Sequence, residues 1–250
     1  HFLPELVDAL GVMVDNYVHD NRLAEAAQVL SEAAYVLDQL PNDGESYLVL
    51  QNLAVTYTHC GFIEAALELY DRALRLAVTD LDRHYYASHA LTLAQHPSET
   101  ETRLLVRLLA FALHADERLE FGRGLSDEDE PALWRRDYTG AIEQWIELGQ
   151  PDESRLRKAS GRAAQVVVVG YGGQAAEAWW KRNAAALARL RNLSVIELDD
   201  AEVAAATALL ARGMRVTAMI QDGELQLMDA ERSASLRPRI RMRDGVATAD

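Results

Sequence analysis

The chain has 250 residues, 49% of them apolar and 26% charged, the profile of a globular protein able to bury a sizeable core in one large domain or two small ones. No apolar run approaches a membrane span, the start lacks the basic-then-apolar pattern of a signal peptide, and the single cysteine, Cys60, excludes an internal disulfide, which together point to a cytoplasmic protein with no membrane partner. The net charge of −14 is uneven: residues 1–80 hold thirteen acids against three bases and residues 81–250 hold 26 against 22, which makes the first part a poor match for a phosphate backbone and leaves room for a basic face in the second.

Leu50, Leu53, Ala54, Tyr57, Gly61, Ala66, Tyr70 and Ala73 fall at the spacings of a 34-residue tetratricopeptide unit. The same offsets recover Leu10, Met13, Val14, Tyr17, Ala26, Leu30 and Ala33, forty residues earlier because Pro41 to Ser46 lengthens the connection. The pattern resembles the tetratricopeptide (TPR) repeat and predicts helices near 4–19, 23–39, 46–59 and 63–77, an all-α array of helical hairpins over residues 1–77. Two such units bury little by themselves, so the last helix must lean on the following domain or on a second copy of the chain, a homo-oligomer. A groove for a protein or peptide partner and a plain docking cap weigh equally.

Residues 70–80 satisfy two patterns at once. Ala66, Tyr70 and Ala73 continue the helical repeat, while Leu74, Leu76 and Val78 alternate as a strand does. The reading adopted is helix to about Leu76 and strand beyond.

A second domain is expected over 78–245, with a disordered tail at 246–250. Tyr85 to Leu93 reads as a strand ended by His96-Pro97-Ser98. Ser98 and Glu101 form a capping box for a helix over 98–115, apolar on nearly every side and therefore buried. Leu119–Phe121 and Ala141–Leu148 read as strands, with no clear strand in the intervening SDEDEPALWRRD. Asp152 starts a helix over 152–163, before the fully apolar strand Val166–Val169. A Trp-bearing helix over about 174–190, a strand Leu193–Leu198, a helix Ala201–Arg212 and a hairpin through Asp222-Gly223 complete an α/β domain. Arg237, Arg239, Arg241 and Arg243 alternate, as charges protecting an edge strand do, with an anion contact as the other reading.

From Asp80 onward, DLDRHYYASHALTLAQHPSETETRLLVRLLAFALHADERLEFGRGLSDEDEPALW, WIELGQPDESRLRKA, AEAWW, NLSVIELDD and IQDGELQL resemble the YaeQ family over about residues 76–230. The resemblance implies a restriction-endonuclease-like α/β (α+β) mixed-sheet fold, that of the PD-(D/E)XK nucleases, and a carboxylate site holding Mg²⁺ or Mn²⁺ beside a nucleic-acid phosphate. It also implies that most of the family's first strand is replaced here by the repeat helix, so the chain looks like a fusion, natural or artificial.

Such chemistry needs hard oxygen ligands for an ion that generates hydroxide and neutralises phosphate. Glu143, Trp145 and Glu147 alternate on one face of IEQWIEL, so Glu143 and Glu147 are candidate metal ligands; a solvated strand face is the competing reading. By resemblance Glu147 takes the acidic place of the (D/E)-x-K element, while Gly149 stands in the Lys place and leaves Gln150 or Lys158 as substitutes. Glu99 takes the place of the fold's helical acid and is a third candidate ligand, against a plain ion pair with Arg103 four residues on. Asp137 is a candidate second-strand acid. Arg155, Lys158 and Arg162 share one helix face, either contacting phosphate or simply solvated. His84, His89, His96 and His114 lack ligand spacing, and no phosphate loop, dinucleotide fingerprint or nucleophile elbow appears. Two functions are carried forward, metal-dependent phosphodiester hydrolysis and a non-enzymatic interaction protein, with a fusion lacking any joint role as the third.

Overall fold

In the computed structural model, residues 3–20, 22, 25, 26, 29, 73–93, 99–122, 129–211 and 214–248 are described. The chain divides into two units, residues 1–76 with 88–94 and 211–215, and residues 77–87 with 95–210 and 216–250. In the first, α1 (Leu3–His19) forms where the first repeat helix was expected. It buries Leu10 and Val14, spaced i and i+4, while Met13, expected in the repeat seam, is exposed. Apart from a few positions around Ala26, the repeat helices expected over 23–39, 46–59 and 63–72 lie outside the described residues, as does Cys60.

The junction resolves as a strand. β1 runs over Ala73–Asp80, so the expected helix to Leu76 is corrected. Leu74, Leu76 and Val78 are all buried and Arg75 is exposed; a helix would spread the three apolar residues around its axis, whereas a strand puts them on one face. Next in order are β2 (Tyr85–Thr92), α2 (Glu101–Leu113), β3 (Leu119–Phe121), β4 (Leu133–Arg136), β5 (Ile142–Leu148), α3 (Glu153–Ser160), β6 (Ala163–Gly170), α4 (Gln174–Leu187), β7 (Leu193–Glu197), α5 (Asp200–Thr207), β8 (Arg215–Gln221), β9 (Glu224–Met228), β10 (Ser233–Leu236), β11 (Arg239–Arg243) and β12 (Val246–Ala247).

The strands form two sheets, ordered β10-β9-β8-β1-β2 and β12-β11-β7-β6-β5-β4-β3. In the first, the β8–β9 hairpin turns where predicted, through Asp222 and Gly223 at φ +53° and +73°, the left-handed pair that matches strand twist. The carboxylate of Asp82 accepts both turn amides, at 2.8 and 2.9 Å.

The second sheet is parallel at its centre, where β5 pairs β6 and β6 pairs β7, and antiparallel outside. On one face Trp145, Val166, Val168, Leu193, Val195 and Met242 pack against Leu156 and Ala159 of α3 and Trp179 and Leu187 of α4. α2, buried continuously from Leu105 to Ala112, lies against β5.

Several boundaries differ from expectation for local reasons. α2 is capped by Thr100, whose side chain accepts the Arg103 amide; Ser98 lies outside the described residues. α3 stops at Ser160 because the Asn192 side chain draws the Ser160 and Ala163 carbonyls together, at 3.1 and 3.0 Å, and β6 starts there. β4, expected absent, pairs Trp134 with Trp145 of β5. The tail expected to be disordered forms β12 on β11, so β11 is internal. Its Arg241 is buried between Glu177 and Glu197.

Truncation of Leu76, fully buried on β1, tests the strand assignment. Leu76→Ala is expected to lower the unfolding free energy in urea by about 2–5 kcal/mol; a change within about 0.5 kcal/mol would put the residue on an open face.

Candidate functional site

β5 carries Glu147 to the carboxyl edge of the parallel strands, the edge at which open α/β sheets commonly bind ligands. The residue is only 5% exposed, and its charge is met by two donors on one oxygen: Trp145 Nε1 at 2.7 Å and Arg155 Nε at 2.7 Å, both to Oε1. Arg155, from α3, also donates through Nη2 to the Glu130 carbonyl at 2.7 Å. One residue before Glu130, Asp129 forms an ion pair with Lys158, one turn along the same helix. Arg162 donates to the Asp129 carbonyl at 3.4 Å and lies 5.1 Å above the Trp145 ring. Lys158, by hydrogen bond and charge, with Arg162 and Arg155, holds the Asp129 carboxyl below its ordinary pKa.

Two carboxylates from separate elements, Glu147 and Asp129, thus flank one row of cations. Asp129 was missed in the sequence because the acidic run SDEDEP offers several equivalent acids, and its partner is 29 residues further on.

Gly149 explains its own identity. It closes β5 at φ +79° with its amide on the Val169 carbonyl, so a Lys at that place would be strained by backbone conformation. The Gln150 amide donates to the Tyr171 carbonyl and ties the loops that follow β5 and β6. Of the two candidates to replace a Lys at 149, the geometry places Lys158 on a carboxylate and Gln150 on backbone.

The other sequence candidates do not join this cluster. Glu143 begins the same strand face, four residues or about 13 Å from Glu147, and its Oε2 is 2.9 Å from both Arg118 Nη2 and Arg135 Nε. Asp137 closes the β4–β5 turn, accepting from the Thr139 amide and hydroxyl and the Ala141 amide at 2.8, 2.7 and 2.9 Å. Glu99 is buried with Oε2 on Arg107 at 2.8 Å and Oε1 near Arg103 at 3.4 Å; the ion-pair reading holds, with Arg107 added.

Among the described residues no three His, Cys, Asp or Glu side chains converge to hold a metal. The expected ligand set of Glu143, Glu147 and Glu99 therefore does not fit one ion. Glu147 and Asp129 are oxygen donors of the kind Mg²⁺ takes, an ion usually held by one or two carboxylates together with water and substrate phosphate.

Fold and charge define a class: a mixed α/β domain with a charged cluster at the carboxyl edge of its parallel strands. Residues 65–238 match the family model for the YaeQ protein, and the chain belongs to the YaeQ family. It is 47% identical over 152 residues to the uncharacterized protein YaeQ of Escherichia coli K12, covering 61% of this chain and 84% of that one. The Salmonella typhi counterpart is 46% identical over 160 residues, covering 64% and 88%. Among solved structures, YaeQ from Xanthomonas axonopodis pv. citri superposes with a TM-score of 0.67 at 61% identity over 68% of this chain and 97% of that one. YaeQ from Pseudomonas syringae gives 0.65 at 34% identity, over 69% and 96%. The family match starts at residue 65, before β1, so the expected replacement of the family's first strand by a repeat helix is corrected.

Beneath the cluster-bearing strand, on its opposite face, His114 is partly buried, with Nε2 enclosed and Nδ1 3.3 Å from the Gln144 amide nitrogen, which donates to Gln165. Burial, then the charges of Arg83 and Arg135, pushes its pKa down from 6.5 to about 4. The unfolded chain therefore takes up this proton at a higher pH than the fold does. Stability is full above about pH 6.5 and falls as the pH drops toward 4, by about 3 kcal/mol in all. Urea titrations at about pH 7 and about pH 4.5 are expected to show a smaller acid loss for His114→Gln than for the wild type; equal losses would assign the acid sensitivity to other groups.

Proposed function

We propose that this YaeQ-family domain is a divalent-metal-dependent phosphodiesterase of PD-(D/E)XK type, with its centre at Glu147, Asp129 and Lys158. The observation that carries the reading is the ion-paired row on α3: Lys158 on Asp129 and Arg155 on Glu147 put two oxygen-donor side chains and two cations at one edge of the sheet. Lys158 supplies the cation that Gly149 cannot, from the next helix. When bound, Mg²⁺ or Mn²⁺ would lower the pKa of a water and neutralise phosphate charge; Glu147 and Asp129 would hold it. Lys158, Arg155 and Arg162 supply fixed positive charge for the phosphate backbone of a nucleic acid, binding it electrostatically without reading sequence. Gln150 contributes by fixing the loop after β5.

One observation favours the other reading, a non-enzymatic protein whose acidic first segment recruits a protein partner through TPR-like helices: each of these carboxylates is already neutralised by a cation of the chain. Cleavage assays separate the two. The wild type is expected to cut DNA or RNA oligonucleotides with Mn²⁺ or Mg²⁺ and to stop with chelator. Lys158→Ala should reduce the rate about 100- to 1,000-fold, with Glu147→Gln at least as damaging. Cleavage that persists in Glu147→Gln, or a wild type inert with every metal and substrate form, sinks the enzymatic reading.

A further inference from the structure

We propose that Trp145 is the positioning residue for Glu147, its indole N–H fixing Oε1 so that Oε2 alone is presented to the metal. This rests on the phosphodiesterase reading above and adds to it the part that sets the carboxylate's orientation. Strand alternation puts Trp145 and Glu147 on the same face two residues apart, and the indole lies 2.7 Å from Oε1. Among the described residues, both donors to this carboxylate reach Oε1.

The two donors are unlike each other. Arg155 is a long side chain, 29% exposed, that also holds the Glu130 carbonyl. Trp145 is 3% exposed and wedged among Leu156, Ala159, Val166, Val168 and Trp179. Trp134 stands edge-on to it at 6.3 Å and 84°, and the Arg162 guanidinium covers its ring. A ring so enclosed has one rotamer, and an indole has a single donor that must be satisfied when buried. That donor is committed to the carboxylate, a charge-assisted bond. Phe would fill most of the same core; what the indole adds is the N–H. If Arg155 turns to substrate, Trp145 still pins Oε1, and the carboxylate keeps its orientation through the event that removes its other partner.

The test is Mn²⁺ binding to the full chain, by calorimetry or electron paramagnetic resonance, in wild type, Trp145→Phe and Trp134→Phe. Loss of the orienting bond in Trp145→Phe should weaken Mn²⁺ about 10- to 100-fold, the usual effect of removing a partner of a ligating carboxylate. Trp134→Phe disturbs the same aromatic contact but keeps the Trp145 donor, and should bind as the wild type does. Wild-type NMR gives a second readout that does not need the variant to be well packed: the Trp145 indole N–H resonance should shift during Mg²⁺ titration, in step with binding. Trp145→Phe binding Mn²⁺ like the wild type, equal weakening in both Trp variants, or an indole resonance that stays still while Mg²⁺ binds, each overturns the positioning role and leaves the metal site standing. A wild type that binds no Mn²⁺, or binds it equally after Glu147→Gln, overturns the metal site itself.

Discussion

A carboxylate buried to the extent of Glu147 is tenable only with its charge met on the spot, and meeting it fixes much of the local architecture. The strand must present Trp145 two residues earlier, the helix after Gly149 must return so that Arg155 points back at the strand end, and Arg155 must also reach the Glu130 carbonyl. Strand, helix and the approach to β4 thus meet in a single guanidinium. Without that guanidinium the desolvated charge would keep only the Trp145 indole as a partner, a costly state for a buried carboxylate.

The other acids are likewise dispersed among cations, whether buried or exposed. Glu99, Glu143, Asp129 and Glu197 each find an Arg or Lys nearby, and each pair ties together segments distant in sequence. Among the described residues no three acids gather around an ion. The proposed metal chemistry would rely on two carboxylates and on cations that exchange a protein carboxylate for a substrate phosphate. Lys158, more than half exposed along with its partner Asp129, is well suited to that exchange, because an exposed ion pair is held weakly and screened by salt.

How much of this could be read from the sequence depended on the range of the interaction. The β8–β9 turn at Asp222-Gly223, the buried α2 and the parallel run at Val166–Val169 are local patterns, and all were legible. β1 was only half legible, because residues 70–80 satisfy periods of 3.6 and 2 together; the burial of Leu74, Leu76 and Val78 on one sheet face decides for the strand. β4 escaped because four residues, two of them Arg, carry too little alternation to show. Glu147 came from the family motif and Lys158 as one of two stand-ins for the Lys that Gly149 displaces, whereas Asp129 was not singled out: choosing among the acids of SDEDEP requires knowing which one faces Lys158. The pairing of Glu143 with Glu147 failed for a simpler reason. Two residues can share a strand face and still be too far apart along it to share an ion.

That failure separates face from place. Alternation tells which side of a sheet a residue occupies, and IEQWIEL has Glu143, Trp145 and Glu147 on one side. Convergence, however, is set across strands and onto helices, by register and by loops. Glu147 lies beside Val168 of the parallel neighbour, one step before the strands give way to the loops after β5 and β6, whereas Glu143 lies at the opposite end, near the Asp137 turn. Two acids on one strand therefore serve two ends of the sheet. One is held between Arg118 and Arg135 and knits the β3–β4–β5 corner. The other sits where the parallel strands open and the backbone must turn at Gly149. It is paired with Arg155 of α3, the helix that also carries the exposed Lys158. The proposed phosphodiesterase centre is placed at that second end for this reason.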